Sequence, residues 1–163
     1  MFGIFKKNVK ENSIILKSPV VGRCFDIAEI PDEVFSSKML GEGIGFESTE
    51  GVLYAPFDGE VLQVFPTKHA LILRGNEGIE ILLHIGIDTV NMKGEGFEAF
   101  VEKAQQVKVG DKLLSFDNEL IKAKAKSNLS VLVVTENEII ESVEFNLGNV
   151  DKNNEVIIIK LKK

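Results

Sequence analysis

The 163-residue chain contains two histidines, and both flank a single hairpin pattern. His69 precedes Ala70-Leu71-Ile72-Leu73-Arg74, and His84 follows Ile79-Glu80-Ile81-Leu82-Leu83. Between the two runs lies Gly75-Asn76-Glu77-Gly78, a strong turn signal because Gly and Asn tolerate the left-handed backbone that tight turns need. If the turn centres between Asn76 and Glu77, counting outward along both arms makes His69 and His84 direct cross-strand partners. Their Cβ atoms would then lie ~4.5–5.5 Å apart on one face. A bulge at Gly78 would instead lengthen the loop to three residues and displace that register.

Two facing neutral imidazoles suit two chemistries: binding a borderline metal such as zinc, or transferring a phosphoryl group through a ring nitrogen. A catalytic zinc centre commonly takes three protein ligands. With no third histidine it would have to enlist Asp88, Glu80 or a partner's carboxylate. Phosphoryl transfer asks for less, namely one nucleophilic nitrogen and a second group that offsets charge spread over the phosphoryl oxygens. Asp88, two residues beyond Gly86, would orient a ring or accept a proton, or else serve as an ordinary turn residue.

The elements that must hold these groups are short and β-rich. Ile14–Leu16, Val20–Ile27, Val61–Phe65, Ala70–Leu73, Ile79–Ile85, Val131–Thr135 and Val156–Ile159 read as strands, punctuated by Gly, Pro, Asn and Asp. That spacing predicts an all-β, antiparallel sandwich or barrel. Asn118–Lys126 is the best helical stretch, and Pro31–Phe35 reads as one helical turn opened by proline. Pro19-Val20-Val21-Gly22-Arg23-Cys24 and Pro56-Phe57-Asp58-Gly59-Glu60-Val61 echo one another, which favours two similar halves. Residues 1–12 form either a flexible or an amphipathic N-terminal segment, with Phe2, Phe5 and Val9 at helical spacing beside Lys6, Lys7 and Lys10. Such a segment suits weak contact with an anionic membrane surface. Residues 13–163 read as one domain.

Composition narrows the function further. A net charge of −6, one Tyr and no Trp argue against nucleic-acid binding, which rests on Lys and Arg at phosphates and on aromatic stacking. The N-terminus lacks a signal-peptide pattern, so the expected location is cytoplasmic. A single Cys24 offers no internal disulfide and reads as a buried structural thiol. Lys122, Lys124 and Lys126 read as a solvated face.

Leu83-His84-Ile85-Gly86-Ile87-Asp88-Thr89-Val90, followed by Lys93-Gly94-Glu95-Gly96-Phe97, resembles the signature of the glucose-class enzyme IIA components of the phosphoenolpyruvate-dependent sugar phosphotransferase system. The similarity extends through Ala55-Pro56-Phe57-Asp58-Gly59, Thr67-Lys68-His69-Ala70 and Val107-Lys108-Val109-Gly110-Asp111, covering the chain from Pro19 onward. The resemblance implies a β-sandwich in which His84 is phosphorylated by the histidine-containing phosphocarrier protein and passes the group to a cysteine of a sugar-specific IIB domain. It further implies that His69 holds the phosphoryl oxygens, that Thr67 hydrogen-bonds near His69, and that Asp32 and Asp88 flank the site. A partner-docking rim would comprise Val34, Phe35, Met39, Leu40, Phe65 and Leu82. No cofactor is implied for the isolated chain, although His69 and His84 could share a zinc ion with a partner's carboxylate. Two other readings fit less well. A lysostaphin-type metallohydrolase needs more histidines than the chain has, and a biotin carrier needs a methionine where Gly94 stands.

Overall fold

The computed structural model describes residues 12–162. The N-terminal segment expected to contact membranes lies, except for Asn12, outside the described residues. Among the described residues fourteen strands are formed: β1 (Ser13–Lys17), β2 (Gly22–Asp26), β3 (Gly41–Ser48), β4 (Val52–Tyr54), β5 (Gly59–Val64), β6 (Ala70–Gly75) and β7 (Glu80–His84). They continue with β8 (Phe97–Ala99), β9 (Gln106–Val107), β10 (Lys112–Phe116), β11 (Ser130–Thr135), β12 (Ile140–Phe145), β13 (Gly148–Val150) and β14 (Glu155–Leu161). Among the described residues, two short α-helices, α1 (Glu33–Ser36) and α2 (Asn118–Lys124), and two 3₁₀ turns, Ile27–Glu29 and Thr89–Met92, interrupt them.

Every strand pairing is antiparallel, so the all-β sandwich expected from the sequence is the fold observed. An eight-stranded sheet runs β13-β2-β3-β11-β7-β6-β5-β9, and two three-stranded sheets run β1-β14-β12 and β4-β10-β8. The smaller sheets pack on one face of the large one. Leu16, Val156 and Ile159 from the first, and Leu53, Leu114 and Phe116 from the second, meet Phe46, Leu73, Ile81, Leu83 and Leu132 of the large sheet. Each fully buried Ile, Leu or Phe contributes ~1.5–3 kcal/mol by leaving water.

The other face of the large sheet is covered more thinly, and there the site lies. Phe25, Ile27, Ile30, Phe35, Ile87, Val131 and Val133 form a second cluster under α1, with Leu82 and Leu129 packed against it. Alternation along β11 sends Leu132 and Val134 to the main core and Val131 and Val133 to this outer cluster. The strand is therefore apolar from Val131 to Val134, as the middle of a central strand buried on both faces must be.

Several boundaries moved for identifiable reasons. The turn expected to open on Pro31 is instead capped by Asp32, whose Oδ1 accepts from the Val34 N–H at 2.9 Å, so α1 starts two residues later. Helix α2 stops at Lys124 rather than Lys126, because the Lys126 N–H donates to the Ile87 carbonyl and Ser127 bridges Ile87. β3 was not anticipated, since its Gly-Glu-Gly-Ile-Gly start reads as loop. Those glycines make room: a Cβ on Gly45 would stand 2.2 Å from the Phe25 ring. The two Pro-x-x-Gly echoes do open strands, β2 at Gly22 and β5 at Gly59. Cys24 is buried, and burial pushes its thiol pKa up to about 11, as befits an inert structural thiol. Lys122 and Lys124 face solvent and pair with Glu119 and Glu95.

Candidate functional site

His84 is the last residue of β7, on the outer face of the large sheet, paired with Ala70 of β6 and Val131 of β11. The Ile85 N–H donates to the His69 carbonyl at 2.7 Å, which puts Ile85 rather than His84 opposite His69. The direct pairing counted from the sequence is thus off by one residue. The cause is the turn: Gly75 pairs with Ile79, the Gly78 N–H donates to the Gly75 carbonyl, and Gly78 is left-handed at φ +91°. This is the three-residue loop with a glycine bulge.

The rings meet nevertheless, with centroids 4.9 Å apart and planes at 81°. His69 stands before the first residue of β6, at the end of a turn in which Lys68 is left-handed (φ +59°) and its N–H donates to the Phe65 carbonyl. Outside the pleat, a side chain is not bound to the strand's strict alternation. His69 can therefore reach the face occupied by His84, despite the register that would send it to the opposite side.

The two imidazoles differ in their partners. His84 Nδ1 lies 2.9 Å from the Gly86 carbonyl oxygen, which can only accept. Nδ1 therefore carries the hydrogen in the neutral ring, and Nε2 keeps a free lone pair. His69 Nδ1 lies 2.6 Å from Thr67 Oγ1. When the Thr67 hydroxyl donates to Nδ1, His69 Nε2 bears the hydrogen and becomes a donor. Phe35 packs on His84 at 5.1 Å between centroids, and Phe65 meets His69 edge-on at 5.6 Å.

Burial governs the charge of this pair. His84 is pushed down to about 4, first by desolvation and then by His69, against the smaller opposing pull of the Gly86 carbonyl, Asp32 and Asp88. His69, only 4% exposed, is also lowered by burial. Both rings are neutral at pH 7, so one can act as a nucleophile while the other donates.

Asp32 and Asp88 stand near enough to His84 to act on its charge, but neither hydrogen-bonds a ring. Asp32 caps α1, and Asp88 is exposed and left-handed (φ +64°), preceding the Thr89–Met92 turn without a side-chain cap bond. Among the expected rim residues, Val34, Met39 and Leu40 are exposed at 44%, 68% and 43%. Phe65 and Leu82 are half-buried, while Phe35 is buried and forms a wall of the site instead of facing solvent. Val90, half exposed in the turn after Asp88, adds an apolar position that the sequence reading did not include.

Three further residues shape the loop beyond His84. Gly86 is left-handed at φ +70°, and a Cβ there would stand 2.5 Å from Thr89 Cγ2. Its N–H donates to Ser130 Oγ at 3.0 Å, and the Thr89 hydroxyl donates to the Ile85 carbonyl at 2.6 Å. Ser130 escaped the sequence reading because an isolated hydroxyl residue carries no pattern, and Thr89 stood there only within the motif after His84, with no role of its own. Among the described residues, no group of three or more His, Cys, Asp or Glu side chains gathers to hold a metal ion. No described helix is long and apolar enough to cross a membrane.

The family described as phosphoenolpyruvate-dependent sugar phosphotransferase system, EIIA 1, matches residues 14–140. This chain belongs to that family. The EIIA chain is 45% identical over 148 residues to a protein of Bacillus cereus named PTS system glucose-specific EIIA component, covering 91% of this chain and 88% of that one. The same identity and coverage hold for a protein of that name from Bacillus anthracis. Among solved structures, the glucose permease IIA from Mycoplasma capricolum superposes with a TM-score of 0.85 at 36% identity, covering 90% of this chain and 95% of that one. As an EIIA component, the protein serves phosphoryl transfer in the sugar phosphotransferase system.

Proposed function

We propose that this EIIA takes a phosphoryl group on His84 Nε2 from the histidine-containing phosphocarrier protein and hands it to a cysteine of a sugar-specific IIB domain. The observation that carries this reading is the asymmetry of the pair: Gly86 holds His84 Nδ1–H, which leaves Nε2 as the free nucleophile. The Nε2 lone pair attacks phosphorus as the P–N bond to the donor imidazole breaks and the donor ring recovers its own lone pair. The phosphorylated ring, bearing hydrogen on Nδ1, is cationic, and the Gly86 carbonyl, Asp32 and Asp88 favour that charge. A cationic imidazole is a good leaving group, so a cysteine thiolate of IIB can then take the phosphoryl group and return the lone pair to Nε2. His69, oriented by Thr67, donates to the phosphoryl oxygens during both steps.

No metal is needed, because imidazoles fill both roles. A zinc ion at His69 and His84 would need a partner's carboxylate to complete its ligands. Val34, Met39 and Leu40, exposed beside Asp32 and α1, suit transient docking of both partners. The relatives carry glucose in their names, and we infer that the cognate permease handles a sugar of that class and that the carrier works in the cytoplasm.

The test supplies the chain with labelled phosphoenolpyruvate and the two general phosphotransferase proteins. The parent should acquire acid-labile, base-stable label, and His84→Ala should acquire none. Undiminished labelling of that variant would sink the assignment. His69→Gln should still accept label but transfer it to IIB at least about tenfold more slowly, the rate equivalent of one lost charge-assisted hydrogen bond. Normal onward transfer would remove its stabilising role.

A further inference from the structure

The loop that follows His84 is held in place by groups with no other evident task. The Ile85–Gly86 peptide is gripped at both ends, its carbonyl accepting from the Thr89 hydroxyl at 2.6 Å and its N–H donating to Ser130 Oγ at 3.0 Å. The next peptide, Gly86–Ile87, is gripped in the same way. Its carbonyl accepts from His84 Nδ1 at 2.9 Å, and its N–H donates to the Ser127 carbonyl at 2.8 Å. The strand ladder ends at His84, so these two peptides lie just past the end of the strand's regular pairing and each needs partners of its own.

Thr89 and Ser130 are fully buried, at 0% and 1% exposure. A buried hydroxyl is retained at a cost unless it is hydrogen-bonded. Thr89 spends its hydroxyl on this loop, while Ser130 accepts from it and makes a longer contact of 3.3 Å to the Asn128 carbonyl. Gly86 adds a second constraint, since its left-handed backbone and the nearby Thr89 methyl leave no space for a side chain. Rotation of either peptide would turn the Gly86 carbonyl away from His84.

We propose that Thr89 and Ser130 are positioning residues for phosphoryl transfer: their hydroxyls clamp the Ile85–Gly86 peptide so that the following carbonyl fixes His84 in its Nδ1–H tautomer. Their hydroxyls bond backbone groups and not the rings. They act through the backbone, as outer groups that fix the tautomer of a histidine generally do. The proposal rests on His84 Nε2 being the phosphoryl acceptor, and it identifies what keeps that nitrogen free.

The test reads the tautomer directly, by long-range ¹⁵N–¹H spectra of the unphosphorylated full chain, alongside the rate of phosphoryl acceptance. The parent should show one tautomer, with hydrogen on Nδ1. Ser130→Ala and Thr89→Val should each show a mixture and accept phosphate about five- to tenfold more slowly, the equivalent of one neutral hydrogen bond. Ser130→Thr and Thr89→Ser, which keep the hydroxyl, should restore both readouts. A single Nδ1–H tautomer with parental rates in both hydroxyl-deleted variants would overturn the proposal. So would equal losses in Ser130→Ala and Ser130→Thr, which would reduce Ser130 to packing. A parent that takes no phosphate on His84 would count against the proposed function alone, because the tautomer spectrum reads the clamp without phosphorylation.

Discussion

His84 and His69 lie in contact, yet they answer to different neighbours: a backbone carbonyl that must accept and a hydroxyl that can do either. That difference, and not the residue type, separates their chemistry. Burial adds a pH dependence whose sign follows from the lowered His84 value of about 4. The unfolded chain takes up a proton near the ordinary histidine value of about 6.5, whereas the native ring resists until pH is far lower. Stability contributed at this residue is therefore intact above pH 6.5 and is lost as pH falls toward 4. The loss should reach about 3 kcal/mol. Denaturant titrations of the parent and His84→Gln between pH 7 and 4 should show the parent losing that much more than the variant, and parallel curves would refute the neutral buried ring.

At the scale of elements, the site depends on how one strand ends. β7 delivers His84 to the outer face, and Gly86 then turns the chain with a positive φ where a Cβ would collide with Thr89. Gly86→Ala should cost about 2–4 kcal/mol from left-handed strain and overpacking together, measured by chemical denaturation. A cost under 1 kcal/mol would mean that the loop can rearrange freely. The hairpin teaches a related lesson. Gly75-Asn76-Glu77-Gly78 was legible as a turn, but whether Gly78 lay within a two-residue or a three-residue loop was not, because both use the same residue types. One residue of register changed the cross-strand partner of His84 from His69 to Ala70.

For the whole molecule, the arrangement places a thinly covered sheet face, two carboxylates and exposed apolar side chains around one histidine pair, His69 buried and His84 half-buried. Met39, at 68% exposure, supports little of the fold. Met39→Glu should therefore leave stability within about 0.5 kcal/mol of the parent, yet weaken binding of the phosphocarrier at least about tenfold in an NMR titration. Unchanged affinity would move the docking surface away from α1 and the residues that follow it.

Alternation of apolar residues, Gly and Asn at turns, and the scarcity of helical pattern sufficed for the all-β class and for most strands around the site. The histidines and their motif likewise marked the chemistry, since phosphoryl transfer demands few residue types and this chain has only two imidazoles to offer. Gly-rich β3 stayed hidden, because its glycines are explained only by the Phe25 ring and the neighbouring strand that press on them. The same holds for Ser130, which lies 44 residues from the Gly86 N–H it accepts from. Local sequence carries propensity and residue type. Which carbonyl faces which ring nitrogen is set by backbone segments that meet only when the sheet closes, and that is where tertiary structure alone decided the tautomer and hence the asymmetry of His84 and His69.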